Sequence, residues 1–277
     1  SYKQLPAIEP SQPESPDLTW EKSNQTDIGL DFGLFNNRIT GEIDYYNKKT
    51  NGLLFYQNIP YTSGYSNIYR NIGDMKNTGF EMVINTQNIK KDNFTWDTNF
   101  NVAKNNNEIT ALPDDNRDQI IGNVIRRVGE RLDSFYLVEY AGVDPNKGDA
   151  LFYKNTLNPD GSLDKTKTND YSEAQRIIAG SSTPDWIAGL TNTVEYKNFD
   201  FSFTFYGEFG GNLYNSGGKF MSASASNGYD NQTVDQMNRW QNPGDITNVP
   251  QARLGKGNGV EESTRYLEKN DFVRLRN

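Results

Sequence analysis

Phe199, Phe201, Phe203 and Phe205 alternate with Asp200, Ser202, Thr204 and Tyr206. Successive side chains of a β-strand point to opposite faces, so this run is a ribbon with phenyl groups on one side and polar groups on the other. The same period of two recurs along the chain, and helical periodicity is hard to find. Ahead of the phenyl run, Trp186, Ala188, Leu190, Val194 and Tyr196 alternate with Gly189, Thr191, Thr193 and Glu195, and Lys197-Asn198 joins the two runs as a two-residue hairpin turn. Near the start, Ile28, Leu30, Phe32 and Leu34 alternate with Gly29, Asp31 and Gly33. A turn at Asn36-Asn37 leads back through Ile39, Ile43 and Tyr45. A third hairpin runs through Phe80, Met82 and Ile84, turns at Lys91-Asp92-Asn93, and returns through Phe94, Trp96, Thr98, Phe100 and Val102.

The connections between these runs alternate in length. Short turns at 36–37, 90–93 and 197–198 are interleaved with long segments near 51–78, 106–183 and 212–266. In an up-and-down sheet, alternate connections lie at opposite ends, so all short turns fall at one end and all long loops at the other. Outer-membrane barrels have this asymmetry, whereas Greek-key sandwiches scatter their long loops. One face is aromatic and the other carries Asp, Asn, Thr, Glu and Gly, which fits an apolar lipid wall and a polar inner wall. An antiparallel sheet with one solvated face gives the same alternation and is the competing reading. The expected lipid-facing residues are Ile28, Leu30, Phe32, Phe199, Phe201, Phe203 and Phe205.

Composition narrows the functions. The 277 residues hold no Cys and no His, which removes disulfides, thiol chemistry, Cys/His zinc sites and Ser-His or Cys-His catalytic pairs. With 28 Lys+Arg against 36 Asp+Glu the net charge is −8, the wrong sign for a nucleic-acid phosphate partner. There are 35 Asn, equal to all aromatic residues together, and only 34% hydrophobic residues, so a thick aliphatic interior is not expected. No stretch approaches the roughly 20 apolar residues of a transmembrane helix. Ser1 to Pro16 carries four prolines and does not read as a signal peptide.

Several strings in order along the chain are similar to the barrel of SusC/RagA-type TonB-dependent transporters. They are Ser15-Pro16-Asp17-Leu18-Thr19-Trp20-Glu21-Lys22, Ile28-Gly29-Leu30-Asp31-Phe32-Gly33, Asn37-Arg38-Ile39-Thr40-Gly41 and Asp44-Tyr45-Tyr46-Asn47-Lys48-Lys49-Thr50. The resemblance continues through Asn77-Thr78-Gly79-Phe80-Glu81, Val128-Gly129-Glu130, Gly142-Val143-Asp144-Pro145 and Thr183-Pro184-Asp185. It goes on through Gly189-Leu190-Thr191-Asn192-Thr193 to Tyr266-Leu267-Glu268-Lys269-Asn270-Asp271-Phe272-Val273-Arg274-Leu275. It implies an all-β, antiparallel up-and-down transmembrane barrel of roughly 22 strands around a plug, of which residues 1–277 supply about seven strands of one barrel domain with long extracellular loops. It also implies TonB-driven import of oligosaccharides or peptides across the outer membrane of a Bacteroidetes-type bacterium, under a SusD-like lipoprotein lid. On this expectation the plug, TonB box, signal peptide and closing strands lie outside the sequence, and no enzymatic activity or cofactor is expected. The alternative from another class is a soluble, secreted β-rich carbohydrate-binding module, with a glycoside hydrolase behind it.

Site residues follow from chemistry. Tyr214, Tyr229 and Trp240 sit among Asn, Ser and Gly in a long segment. Aromatic faces stack on sugars while amides and carboxylates bond hydroxyls, so these three are the substrate-binding candidates, against packing within their own loop. Asn158-Pro159-Asp160-Gly161-Ser162-Leu163-Asp164 sits where the family often carries a calcium-loop-like run. Here it reads as a turn, as does Asp144 to Asp149, and no metal site is assigned. Adjacent carboxylates such as Asp114-Asp115 and Glu261-Glu262 do not read as the two flanking groups that glycoside hydrolysis needs. Trp20, Tyr45, Tyr46, Trp96, Trp186 and Tyr196 near strand ends suit either interfacial girdles or plain strand propensity.

Overall fold

The computed structural model describes residues 12–71, 73–222, 228 and 231–276. Seven strands form one antiparallel sheet in chain order: β1 (Lys22–Leu34), β2 (Ile39–Asn51), β3 (Asp74–Lys91), β4 (Phe94–Ala111), β5 (Trp186–Tyr196), β6 (Phe199–Phe209) and β7 (Phe272–Leu275). Each is bonded to its sequence neighbour, the up-and-down pattern expected from the connection lengths.

Turn chemistry sets the registers. Phe35, Asn36 and Asn37 all have φ between 55° and 62°, so the first turn is a four-residue loop over 35–38 rather than the two residues expected. Asn tolerates this left-handed region, and Phe35 adopts it only because the paired strands on either side fix the chain. Asp92-Asn93 and Lys197-Asn198 are two-residue turns, closed by the pairs Lys91 with Phe94 and Tyr196 with Phe199. The two turns touch, Lys197 N–H donating to the Asn93 carbonyl at 3.0 Å.

Register carries the alternation across the whole sheet. Opposed residues share a face, so Leu30, Ile43, Met82, Val102, Ala188 and Gly207 form one continuous row. The next row is Phe32, Gly41, Ile84, Phe100, Leu190 and Phe205. On β4 the apolar face runs from Phe94 to Lys104, ten residues on, where the ammonium lies 5.0 Å from the Trp186 ring centre. At about 3.3 Å per residue and a barrel tilt of about 40°, that band is about 25 Å tall. Beyond it the row Thr26, Asn47, Thr78 and Asn106 is wholly polar.

The apolar face is bare. Ile28, Leu30, Phe199 and Phe201 are 61–76% exposed, Phe205 is 39% exposed, and Phe32 and Phe203 are half-buried. Among the described residues no second sheet covers them, whereas a sandwich would bury such a face. β3 and β4 also run further than expected, β3 beginning at Asp74 and β4 ending at Ala111. Their polar ends pair as Asn77 with Asn107 and Thr78 with Asn106. Amide-to-amide bonding (Asn107 Nδ2 to Asn77 Oδ1, 2.9 Å) ties these ends together beside the apolar pair Met75 and Ile109.

The first two long segments carry β-structure of their own. Val124–Arg126, Ser134–Val138 and Arg176–Gly180 build a second sheet with Gln119–Ile121 at its edge. Tyr140–Val143, Ala150–Tyr153 and Lys167–Thr168 build a third. The buried apolar core sits here: Ile125, Leu137, Val138, Ala150, Phe152 and Tyr266 are almost inaccessible. Ser134–Val138 is buried on both faces, so its sequence is a short continuous apolar run without alternation. Leu54–Asn58 and Asn67–Asn71 form a separate hairpin within the first long segment.

Candidate functional site: the polar wall and its outer loop layer

Alternation places the side chains of Glu42, Asp44, Glu81, Asn85, Asp97, Asn99, Asn101, Thr191 and Thr193 on the face opposite the phenyl groups. They bond across strands: Asn99 Nδ2 to Asn85 Oδ1 at 2.6 Å, Thr191 with Thr204 at 3.0 Å, and Thr95 Oγ1 to Glu195 Oε2 at 2.9 Å. Gly79 has a specific role. A Cβ there would lie 2.2–2.4 Å from the Tyr46 ring, which crosses the glycine so that its hydroxyl reaches Asn105 Oδ1 at 3.0 Å. The result is a wet, hydrogen-bonding surface the length of the strands, suited to a polar solute or to a polar protein surface.

Where β4, β5 and β6 pass into the loop layer, a cavity of about 370 Å³ is lined by Asn106, Asn107, Arg131, Asp185, Gly210 and Asn212 among others. Arg131 donates to Asp185 Oδ1 and to the Thr183 carbonyl. Asn107 Oδ1 accepts the Leu132 N–H at 2.9 Å. Gly129 N–H donates to the Ile109 carbonyl, and Ile109 N–H to Glu130. Asn212 N–H donates to the Ser181 carbonyl, and its amide occupies the space a Cβ on Gly180 would need. Three of the sequence strings singled out above, at 77–81, 128–130 and 183–185, therefore converge on one junction that locks the loop layer onto the wall. Sequence reading missed this cavity because its residues are distant in the chain and ordinary in type. The Arg131–Asp185 contact joins the 183–185 string to the residue that follows the 128–130 string, and the only available signal was that both strings belong to the resemblance.

The aromatic candidates are placed differently from expectation. Trp240 is 6% exposed, donates its indole N–H to the Pro145 carbonyl at 2.9 Å, and packs so closely on Gly148 that a Cβ there would clash. Its ring faces are occupied by its own loop layer, because a large ring with a single donor is best buried where a carbonyl meets that donor. Tyr214 is half-buried, its ring centre 6.5 Å from that of Phe135, and among the described residues its buried hydroxyl meets no hydrogen-bond partner. Burial pushes that phenol well above its ordinary range. Tyr229 lies outside the described residues.

The loop carboxylates are engaged locally. Asp160 Oδ1 accepts from the Ser162 hydroxyl and N–H, and Asp164 accepts from the Thr166 N–H and hydroxyl; these bonds hold both below the usual carboxylate range. Asp144 Oδ1 accepts the Asn146 N–H at 2.8 Å. Each is the geometry of a side-chain-closed turn. Asp149 is different: burial pushes its pKa up, but bonds from Arg253 and Asn169 outweigh that and bring it below the ordinary value. Among the described residues no cluster of three carboxylates is arranged to hold a metal ion.

The model of the TonB-dependent receptor-like β-barrel family matches residues 4–229. The chain belongs to that family. Within it the chain is of the SusC/RagA type. It is 36% identical over 275 residues to TonB-dependent receptor P3 of Formosa agariphila, covering 94% of this chain and 27% of that protein. It is 35% identical over 201 residues to TonB-dependent receptor SusC of Bacteroides thetaiotaomicron, covering 68% and 19%. The structure superimposes on one from the RagAB peptide transporter with a TM-score of 0.87 at 30% identity, covering 99% of this chain and 30% of that one. The chain thus spans about a quarter of the curated relatives it matches, and its seven-stranded sheet is a segment of such a barrel.

Proposed function

We propose that the chain supplies wall and outer loops to an outer-membrane importer that takes up oligosaccharides or peptides, is driven through TonB, and is closed by a SusD-like lipoprotein. The transporter as a whole is not an enzyme on this reading. The carrying observation is the division of the sheet: a bare apolar band about 25 Å tall on one face, a hydrogen-bonding polar wall on the other, and all the long segments at one end. Such a wall passes polar solutes past lipid, and the loop layer at its head offers the polar cavity at Asn107, Arg131 and Asp185 to the incoming oligomer. In this reading Ile28, Leu30, Phe32, Phe199, Phe201, Phe203 and Phe205 meet lipid. Trp240 serves the loop layer as a packing residue, and Tyr214 contacts substrate only through its accessible edge. The likeness to the RagAB peptide transporter supports the peptide arm, and the likeness to SusC supports transport in the same receptor class. Deletion of the full-length gene in its host should abolish growth on one oligomeric nutrient and leave growth on its monomer intact. Unchanged growth across both oligosaccharide and oligopeptide panels would overturn the proposal.

A further inference from the structure

A notch opens beside the first short turn. A cavity of about 360 Å³ is lined by Phe35, Arg38, Ile39, Thr86, Gln87 and Asn88. Ile39 is opposed to Leu34 and to Thr86, and Thr86 to Thr98, all within the apolar face. A break in register between Gln87 and Ile89 turns Asn88 to the same side, where its amide accepts from Thr86 Oγ1 (2.9 Å) and donates to Thr98 Oγ1 (2.7 Å). The notch therefore faces outward with the phenyl groups and not inward with the polar wall.

Its lining combines spare donors with an apolar side. Arg38 Nη2 donates to the carbonyls of Gln87 (3.2 Å) and Asn88 (2.9 Å), which fixes the guanidinium at the notch. Among the described residues its Nε and Nη1 protons meet no acceptor and it forms no ion pair. An amide NH₂ carries two protons, and the second on Asn88 likewise meets no acceptor among the described residues. The lining holds this one cation and no carboxylate. Phe35 stands in left-handed backbone at φ 55° and is 73% exposed, so the apolar side of the notch is largely uncovered.

Position selects the occupant. Leu34 and Ile39 are the last residues paired between β1 and β2, so the turn over 35–38 begins where the apolar face of these strands ends. The headgroup layer of a leaflet is about 5–8 Å deep, and long basic side chains lay their stems on apolar surface while their heads reach that layer. A phospholipid at this level brings a phosphate to the guanidinium, a well-matched donor and acceptor, and lays its acyl chains against Ile39 and Phe35. A zwitterionic headgroup would bring a second cation to a lining without a carboxylate, which favours a lipid of net negative charge. We propose that the notch at Arg38 holds the phosphate of an anionic phospholipid of the periplasmic leaflet. The inference rests on the apolar face meeting lipid and is independent of which nutrient is carried.

The test uses the full-length transporter, stripped of lipid in detergent and equilibrated with micelles holding phosphatidylglycerol and phosphatidylcholine in equal amounts. Bound lipid is counted by native mass spectrometry. The wild type should prefer phosphatidylglycerol roughly fivefold, the scale of one partly exposed charge-assisted bond. Arg38→Gln should lose the preference, and Arg38→Lys should keep most of it. Phe35→Asp sets an anion in the notch and suits the left-handed backbone; it should also lose the preference, and it serves if Arg38→Gln assembles poorly. Lys197→Gln, at another short turn, should bind as the wild type does. Equal preference in the wild type and an assembled Arg38→Gln or Phe35→Asp variant would overturn the proposal. So would equal loss in Lys197→Gln, which would replace the notch with diffuse charge at the rim. Displacement of phosphatidylglycerol by excess glycerol phosphate would overturn it too, placing a soluble phosphate compound in the notch. Total bound lipid reports separately whether the apolar face meets lipid at all.

Discussion

Replacing phenylalanines of β6 with arginine at graded depth tests the facing assignment quantitatively. Phe199 adjoins the Lys197-Asn198 turn, and Phe203 and Phe205 follow four and six residues on. At about 3.3 Å per residue and a tilt of about 40°, they lie about 10 and 15 Å from the rim of a band about 25 Å tall. Both are within about 3 Å of its midplane. A cation on the lipid face costs roughly 2–4 kcal/mol at the midplane and about 0–1 kcal/mol at the rim. At 1.4 kcal/mol per decade, Phe205→Arg should shift assembly by roughly 30- to 700-fold, while Phe199→Arg should shift it less than about fivefold. Ser202→Arg, on the opposite face and opposed to Thr193, should fall with Phe199→Arg because its guanidinium reaches polar side chains and water. The assay is the folded, heat-modifiable fraction of the full-length transporter in isolated outer membranes, measured by gel shift. Equal loss for Phe199→Arg and Phe205→Arg, or greater loss for Ser202→Arg than for Phe205→Arg, would refute the reasoning.

Sidedness is decided by labelling single cysteines placed in this segment, which itself has no Cys, in intact cells, with the unsubstituted transporter as the background control. Leu157→Cys, 75% exposed in the loop layer, should label from outside, and Asn37→Cys and Asn198→Cys should not; the reverse pattern would invert the topology. Trp240→Ala should cost the loop layer about 3–5 kcal/mol and appear as protease cleavage within 112–185 and 231–266, while assembly of the wall is kept; unchanged cleavage would show that the ring is not a packing residue. The pKa of Asp149 is lowered in the folded state, so its contribution is present above the ordinary carboxylate value of about 4 and is lost as pH falls through the lower folded value. Hydrogen exchange around 147–151, corrected for intrinsic rate, should accelerate below about pH 4. Arg253→Ala should accelerate it already at neutral pH by about 1–2 kcal/mol of lost local protection, discounted for the partial exposure of the pair. A flat profile in both proteins would remove Asp149 from the account.

Local chemistry was sufficient for the sheet. The alternation from Phe199 to Phe205, the Lys197-Asn198 and Asp92-Asn93 turns and the short–long rhythm each depend on neighbours within a few residues. The backbone converts a period of two directly into two faces. The family was equally legible, because its strings lie on those strands and turns. The loop layer was not. Ser134–Val138 and Arg176–Gly180 are short apolar runs that pair with each other across some 40 intervening residues, and no periodicity announces a partner that distant. Trp240 illustrates the cost. An aromatic among Asn and Gly reads as a free stacking platform until the fold brings the Pro145 carbonyl to its N–H. The junction of Asn107, Arg131 and Asp185 likewise exists only once register has set strands side by side. Sequence determined which face each residue takes, since that is a property of the chain. Tertiary structure decided which side chains meet, since that depends on contacts between segments far apart in the sequence.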